Sequence, residues 1–166
     1  MVESGVKWLS GWFLLFRGFN AISLDAKGRL AIPARHRPEL DQCCDRQLII
    51  TVDRDSCLLL YPLPEWELVE GKLIKLPSLN KKAKMLQRLL IGHATECEMD
   101  GQGRVLVPEK LREFAGLEKR VALIGQLNKF EIWDEAVWNS GRESWHEAVG
   151  LDDLDELGSE LASLSL

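Results

Sequence analysis

The sequence predicts an α+β fold that is mainly β and is built from two copies of one small unit. Residues 24–33 read LDAKGRLAIP and residues 99–108 read MDGQGRVLVP, so the acid, glycine, arginine and proline each return 75 positions later, Asp25 as Asp100. A repeat of this length indicates two copies of one supersecondary unit. Each copy has only about 50 residues, too few for a well-buried core, so we expect the two copies to pack together or several chains to assemble.

The repeated phrase has the character of a β-hairpin. Apolar, β-compatible residues flank DAKGR on both sides, in FNAISL at 19–24 and in LAI at 30–32. We expect Gly28 to supply a backbone conformation with positive φ. Asp25 is expected to accept hydrogen bonds from backbone N–H groups within the turn. The corresponding turn residues of the second copy are Asp100 and Gly103.

After this hairpin, each copy is predicted to continue with a short helical turn, a second hairpin and a helix. Pro33 is expected to end the first hairpin, and Pro38 to cut the helical turn short. The second hairpin of the first copy is predicted at 47–52 and 57–61, where apolar residues dominate. The spacing of apolar residues predicts helices at 64–76, 78–90 and 135–149.

We expect five segments along the chain. Residues 1–15 are interpreted as an N-terminal extension, and non-native sequence from an upstream start is the other interpretation of the same segment. The other four are the first repeat at 16–66, a helical connection at 67–90, the second repeat at 91–138, and a C-terminal helix with an acidic tail at 139–166.

Charge is distributed unevenly over the chain, whose formal net charge is −5. The stretch 16–37 sums to +4, whereas the matching stretch 91–112 sums to −1. From residue 152 to the end there are five acidic residues and no Lys or Arg. The first copy therefore carries a basic turn region that the second copy lacks, and a local basic patch of this kind is typical of nucleic-acid binding.

Several functional classes lack support in the sequence. There is no glycine-rich phosphate loop, no H-E-x-x-H and no G-x-S-x-G, so we expect neither an enzyme nor a small-molecule substrate. No apolar run reaches the roughly 18–20 residues that span a bilayer, so we expect no membrane partner. The cysteines form no C-x-x-C pair, so we expect no metal or cofactor; they are Cys43, Cys44, Cys57 and Cys97.

The pair formed by Asp25 and Arg29 has two interpretations. A carboxylate and a guanidinium at this separation can pair and close the turn, which is a purely structural role. That role fits both copies, since both contain Asp, Gly and Arg. It does not explain Lys27, which is Gln102 in the second copy, or the additional basic residues of the first copy, Arg17, Arg35, His36 and Arg37.

Four stretches carry a wider pattern: FRGFNAISLDAKGRLAIPARHR, LLLYPLPEWE, QRLLIGHATECEMDGQGRVLVPEKLR and LIGQLNKFEIWDEAVW. With a D-x-x-x-R element in each half, this pattern resembles the MraZ family of bacterial transcriptional regulators over roughly residues 16–166. The resemblance implies two AbrB-like swapped-hairpin repeats that form one pseudo-twofold β-barrel core with flanking helices. It also implies sequence-specific binding of double-stranded DNA at direct repeats upstream of the division and cell-wall gene cluster, ring-shaped homo-oligomers, and a cytoplasmic, nucleoid-associated location.

The resemblance also implies which residues contact DNA. These are the basic residues at the hairpin, Lys27 and Arg29, together with Arg17 and Arg104. A two-stranded β-ribbon fits the major groove, where an arginine can bind guanine O6 and N7. The alternative is a protein-binding scaffold, or an antitoxin-like interaction module without DNA specificity, that would use the acidic, leucine-bearing tail.

Overall fold

The computed structural model describes residues 6–8, 11–13, 15–150 and 158, and side chains from residue 15 onward within these ranges. The chain forms two compact units, Met1–Glu135 and Ala136–Leu166. Up to the end of the first repeat and its following helices, the elements are β1 (Val6–Trp8), β2 (Gly11–Phe13), β3 (Phe16–Ser23), β4 (Arg29–Ala31), α1 (Arg37–Cys44), β5 (Gln47–Val52), β6 (Leu58–Pro62), α2 (Leu63–Leu73) and α3 (Lys81–Leu90).

The second repeat reproduces the first element by element. Its elements are β7 (Thr95–Glu98), β8 (Arg104–Leu106), α4 (Glu109–Phe114), β9 (Arg120–Leu127), β10 (Phe130–Asp134) and α5 (Glu135–Ala148). A single 3-10 turn, Ala34–His36, precedes α1 in the first repeat. The predicted helical turn, second hairpin and helix are therefore present in both copies. The first predicted hairpin is wrong as a pairing, since β3 and β4, like β7 and β8, are joined by a tight turn but lie in different sheets. Apolar alternation predicts strands but not their partners.

The two repeats exchange strands within one antiparallel sheet. Its six strands lie in the order β3-β9-β10-β6-β5-β7. The first strand of each repeat thus pairs with the third strand of the other repeat, β3 with β9 and β7 with β5. In the same sheet β6 of the first repeat pairs with β10 of the second, and β4 and β8 form a separate two-stranded sheet that also joins the two repeats. The sheet is therefore shared by the two copies.

The register of the strands relates the two repeats by a pseudo-twofold axis. Leu30 pairs with Val105, the residue 75 positions later, at the centre of β4 and β8. In the large sheet, Leu59 pairs with Glu131, 72 positions later, at the junction of β6 and β10. Equivalent residues meet each other at both places, as they do on the axis of a symmetric dimer.

The main hydrophobic core lies between one face of the six-stranded sheet and the inner face of β4 and β8. Leu30 and Val105 are fully buried and pack with sheet residues such as Ile50 and Leu123. Alternate sheet residues face the other side, where α2 and α3 cover them. That second cluster contains Ile49, Leu59, Tyr61 and Trp66, with Leu63, Val69, Leu90 and Ala94 packed against it.

The predicted α+β, mainly β class is confirmed, with one difference in a helix. Pro38 was expected to cut a helical turn short, yet α1 continues to Cys44. The reason is that Pro38 lies in the first helical turn, where its missing N–H has no intrahelical partner to lose. The backbone pairing of the described residues does not close a barrel, since β3 and β7 are the two edge strands of the sheet.

The two ends of the chain are described in part. β1 and β2 pair in a two-stranded sheet of their own within the predicted N-terminal extension. In α5, the rings of Trp138 and Trp145 meet edge to face with centroids 5.2 Å apart. Apart from residue 158, the predicted acidic tail lies outside the described residues. No helix in the described ranges is long and apolar enough to cross a membrane.

Candidate nucleic-acid interface

The first turn, residues 25–29, is organised by the carboxylate of Asp25. Its Oδ1 accepts the backbone N–H groups of Lys27 and Arg29, each at 2.9 Å. Its Oδ2 accepts the Nε–H of Arg29 at 2.7 Å. The backbone closes the same loop, because the N–H of Asp25 donates to the carbonyl of Arg29 at 2.9 Å. The predicted ion pair is therefore present, and it forms part of a wider hydrogen-bonded turn.

The second turn, residues 100–104, repeats this arrangement bond for bond. Asp100 Oδ1 accepts the N–H groups of Gln102 and Arg104 at 2.9 Å, and Oδ2 accepts the Arg104 Nε–H at 2.9 Å. A local pattern that two different sequences share must come from the residues they have in common. Those residues are the acid, the glycine and the arginine.

The carboxylates of both turns are strongly stabilised in their ionised form. The pKa of Asp25 falls from 3.8 to about 2, chiefly because the backbone N–H of Arg29 donates to it. The Arg29 side chain, the Lys27 N–H and the Arg29 charge act in the same direction, against partial desolvation. The pKa of Asp100 is lowered for the same leading reason, the backbone N–H of Arg104.

Each turn glycine is fixed by an arginine that comes from the other repeat. Gly28 has φ +84°, and an added Cβ would lie 2.6 Å from Cζ of Arg112. Gly103 has φ +77°, and an added Cβ would lie even closer to Nε of Arg37. Both positions therefore favour glycine for its positive φ, and a Cβ at either one would also displace the guanidinium packed against the α-carbon.

The two turns continue into one two-stranded antiparallel ribbon, formed by residues 28–32 and 103–107. Beyond β4 and β8 themselves, Val107 N–H donates to Gly28 O at 3.0 Å and Ile32 N–H donates to Gly103 O at 2.8 Å. Leu30 and Val105 face the core. By strand alternation the flanking residues face outward, and these are Arg29, Ala31, Arg104 and Leu106.

Two of the predicted DNA-contacting residues meet on this outer face of the ribbon. Arg29 lies opposite Leu106 and Arg104 opposite Ala31, so the arginines are diagonal neighbours about 7–8 Å apart. Their side chains keep 26% and 33% of their surface exposed. Between residues 15 and 150 the described hydrogen bonds of both guanidinium groups use Nε, and none of them uses a terminal Nη atom.

The other two predicted residues lie at different distances from this pair. Lys27 is exposed at the tip of the first turn, at one end of the ribbon, and Gln102 holds the same place at the other end. Arg17 is exposed near the start of β3, six residues before Ser23 at the end of that strand. At the rise of an extended strand this is roughly 20 Å. Arg17 therefore lies about 20 Å along β3 from the strand end that leads into the first turn.

The basic residues after the first turn do not form one exposed patch. His36 is buried against Phe16 and Phe130, with ring centroids 5.4 and 5.2 Å away. Burial, and secondarily the charge of Arg35, lowers the pKa of His36. Arg37 is half-buried and donates its Nε–H to Ile32 O at 2.8 Å. Of these three residues, His36 therefore lies in the core, Arg37 is half-buried and Arg35 is exposed.

The described residues contain one group that could hold a metal ion. Ligand atoms of Asp53, Cys57 and Glu131 all lie within 4.8 Å of one another. Burial, followed by the charges of Glu131 and Asp53, raises the pKa of the Cys57 thiol well above its usual value. Because metals bind the thiolate, this opposes binding, and the absence of a resident metal stays a prediction.

Arg112 is the functional-site residue for which the sequence suggested no role. It packs against Gly28 and donates its Nε–H to Val107 O at 3.0 Å, as Arg37 does in the other half. The available signal was that Arg37 and Arg112 repeat at the same spacing of 75 as the turn residues. Their reciprocal contact across the repeats depends on the strand exchange, which no local pattern predicts.

Comparisons with known proteins agree with the doubled architecture. The family model described as "MraZ protein, putative antitoxin-like" matches residues 15–89 and again residues 90–149. The protein named transcriptional regulator MraZ from Methylococcus capsulatus is 60% identical over 91% of this chain and 99% of its own length. Proteins of the same name from Halorhodospira halophila and Thioalkalivibrio sulfidiphilus are 58% and 53% identical, each over 92% of this chain and 100% of their own.

Replacing Gly103 by Ala should lower the free energy of unfolding. A side chain at φ +77° costs about 1–2 kcal/mol, and its Cβ would also displace Arg37. Gly101→Ala in the same turn is the matched control, because its φ is not positive and a Cβ there meets nothing within 4 Å. We expect that control to be neutral or slightly stabilising in urea denaturation. Equal destabilisation by both changes would contradict the role given to Gly103.

Asp25 should remain ionised well into acid. Since its folded-state pKa of about 2 lies below the usual 3.8, its contribution to stability is complete above pH 4 and is lost as the pH falls toward 2. The side-chain carboxyl ¹³C shift should therefore still report a carboxylate at pH 3. In Arg29→Ala the pKa should rise only partly, because the two backbone donors remain. A midpoint near 4 in the unaltered protein would refute this account.

Proposed function

Since this chain belongs to the MraZ family, we propose that it is a sequence-specific DNA-binding transcriptional regulator. The observation that carries the proposal is the ribbon, on whose outward face Arg29 and Arg104 lie as diagonal neighbours. The three relatives described above are named as transcriptional regulators, which also supports a role other than catalysis. The names of these relatives do not specify a DNA sequence.

In the proposed mechanism the ribbon enters the major groove of double-stranded DNA. The groove is about 12 Å wide and admits a two-stranded β-ribbon. Arg29 and Arg104 each anchor Nε on their own aspartate, which fixes the plane of the guanidinium before DNA arrives. The Nη atoms are then pre-oriented for guanine O6 and N7, so less side-chain entropy is lost on binding.

Lys27 is proposed to contact phosphate at one end of the ribbon only. Phosphate contacts supply affinity and register without sequence information. Because Gln102 stands at the other end, the pseudo-twofold of the ribbon is broken where it would meet DNA. A twofold-symmetric DNA-binding surface favours palindromic sites, whereas an asymmetric surface binds its site in one orientation. This asymmetry supports the proposal that the operator consists of direct repeats, located upstream of the division and cell-wall gene cluster.

Affinity would come from several ribbons acting together. We propose that the chain assembles into ring-shaped homo-oligomers, in which one bound ribbon raises the effective concentration of the next at a neighbouring DNA repeat. The exchange of strands between repeats supports the AbrB-like swapped-hairpin type of fold. The same proposal includes the segment boundaries predicted from the sequence and a DNA contact by Arg17. It also includes a cytoplasmic, nucleoid-associated location for the protein.

A protein-binding scaffold or antitoxin-like module is the second candidate function. The description of the matching family model includes the words "antitoxin-like". The acidic, leucine-bearing residues 152–166 would supply the docking segment. A protein-binding scaffold does not require Arg29 and Arg104 on one outward face with exposed Lys27 at the turn tip. The geometry of the ribbon therefore favours DNA binding. Failure to bind the chain's own upstream DNA at any salt concentration would favour the scaffold.

Arg29→Ala is expected to abolish specific binding to the chain's own upstream DNA in a gel-shift titration. Loss of one good base contact costs about 1–3 kcal/mol of binding free energy per ribbon. These free-energy losses add over the ribbons that an oligomer engages. The fold should survive, because an exposed ion pair contributes at most about 1 kcal/mol. Arg54→Ala, an exposed arginine outside the ribbon, is the matched control. If Arg29→Ala unfolds or disassembles the protein, the ion pair is structural and the base contact is not supported.

Lys27→Gln gives the first turn the residue found in the second copy. Binding to every DNA sequence should weaken to a similar degree, and the slope of log affinity against log salt should fall by about one for each engaged ribbon. The reciprocal change, Gln102→Lys, should steepen the slope. An unchanged slope in Lys27→Gln, or a loss confined to one DNA sequence, would exclude the phosphate contact.

A further inference from the structure

We propose that Arg112 and Arg37 are positioning residues for DNA recognition that act across the repeats. Arg112 of the second repeat holds the first turn, and Arg37 of the first repeat holds the second turn. The inference rests on the proposed function, since it concerns the turns that would carry the DNA-contacting arginines. It assigns a role to two arginines that neither the family pattern nor the repeated phrase explains.

The contact of Arg112 spans the two repeats. Its Nε–H donates to Val107 O at 3.0 Å, which ties the side chain to the end of β8 in its own repeat. The same guanidinium lies close to the α-carbon of Gly28, where a Cβ would be 2.6 Å from Cζ and 2.7 Å from Nε. Val107 N–H donates to Gly28 O at 3.0 Å. Arg112 thus contacts both sides of the pairing between Gly28 and Val107, which holds the first turn against β8.

Arg37 makes the equivalent bridge in the opposite direction. Its Nε–H donates to Ile32 O at 2.8 Å, at the end of β4. Its guanidinium packs on Gly103, whose carbonyl accepts the Ile32 N–H at 2.8 Å. Arginine suits this place because its planar, delocalised group can stack on a peptide while Nε donates in the plane. A lysine offers a point charge without a flat face.

This geometry separates positioning from direct DNA contact. Both arginines are half-buried, in contrast to exposed Lys27 at the turn tip. Each packs beneath the glycine that precedes a DNA-contacting arginine, Gly28 before Arg29 and Gly103 before Arg104. Removing Arg112 or Arg37 would let the contacted glycine and the arginine that follows it move. Each substitution would therefore weaken DNA recognition at the turn of the opposite repeat.

The test uses double-mutant cycles of affinity for the upstream DNA duplex. Arg29→Lys and Arg104→Lys are used for the cycles, because a lysine removes the bidentate base contact and keeps a charge at the site, so binding stays measurable. Arg112→Ala combined with Arg29→Lys should show a coupling of about 2- to 150-fold, and so should Arg37→Ala with Arg104→Lys. The two pairs that lie within one repeat, Arg112 with Arg104 and Arg37 with Arg29, should combine independently within about twofold. Coupling confined to the pairs within one repeat would overturn the proposal.

A second readout identifies the turn that is affected. In Arg112→Ala, Lys27→Gln should no longer change the salt slope, because the first turn is already misplaced. In Arg37→Ala, Lys27→Gln should still lower the slope. Arg112→Lys keeps the charge without the flat group and should behave like a weaker Arg112→Ala. If Arg112→Lys fully restores wild-type binding, the role of Arg112 is charge alone and positioning is excluded.

Amide hydrogen exchange tests the brace without any DNA. In Arg112→Ala, or Arg112→Lys if the alanine variant does not fold, the Arg29 N–H should exchange faster than in wild type, while the Arg104 N–H is unchanged. Arg37→Ala should do the reverse. This pattern with no DNA binding by wild type would refute the proposed function and keep the cross-repeat brace. Equal acceleration in both turns would refute the brace itself.

Discussion

Each turn of the ribbon is completed by the other repeat, and the rest of the structure depends on this exchange. The glycine of one turn lies under an arginine of the other half, and its carbonyl accepts a hydrogen bond from the other half's strand. The large sheet follows the same rule, since β3 and β7 each pair with the third strand of the opposite repeat. Neither copy can satisfy its backbone or bury its core alone, so the two fold as one cooperative unit.

The structural and the functional interpretation of the D-x-x-x-R element turn out to be compatible. Aspartate takes two backbone N–H groups and one Nε–H, which makes it the organiser of the turn. The arginine donates its Nε–H to that aspartate, and the described hydrogen bonds do not use its terminal nitrogens. One side chain can therefore close the loop and still present two donors to a base. Lys27 and Gln102 contribute only their backbone N–H groups to the turns. The two copies were therefore able to differ in the side chains at these positions.

Local features of the fold could be predicted from the sequence, and features of the exchange could not. The β5–β6 and β9–β10 hairpins and the positive φ of Gly28 and Gly103 follow from turn chemistry and apolar alternation, which act over a few residues. The partners of β3 and β4 do not, because those strands pair across the repeats. The place of Arg37 was not predictable in this way, because it contacts a turn 66 residues later in the chain. The α1 helix was underestimated because Pro38 stands at its start, where a proline is tolerated. The shared spacing of Arg37 and Arg112 held the missing information, but only the strand order gives it a meaning.

The pairing of equivalent residues on the pseudo-twofold axis has an evolutionary consequence. Leu30 meets Val105 and Leu59 meets Glu131, so a single repeat forming a twofold dimer would place each of these positions against its own copy. In such an ancestor every substitution changes both halves at once, and a glutamate at the second position would face another glutamate. Fusion of two gene copies removes that restriction. Divergence on the axis, and of the two turn tips, then becomes possible without loss of the interlocked backbone.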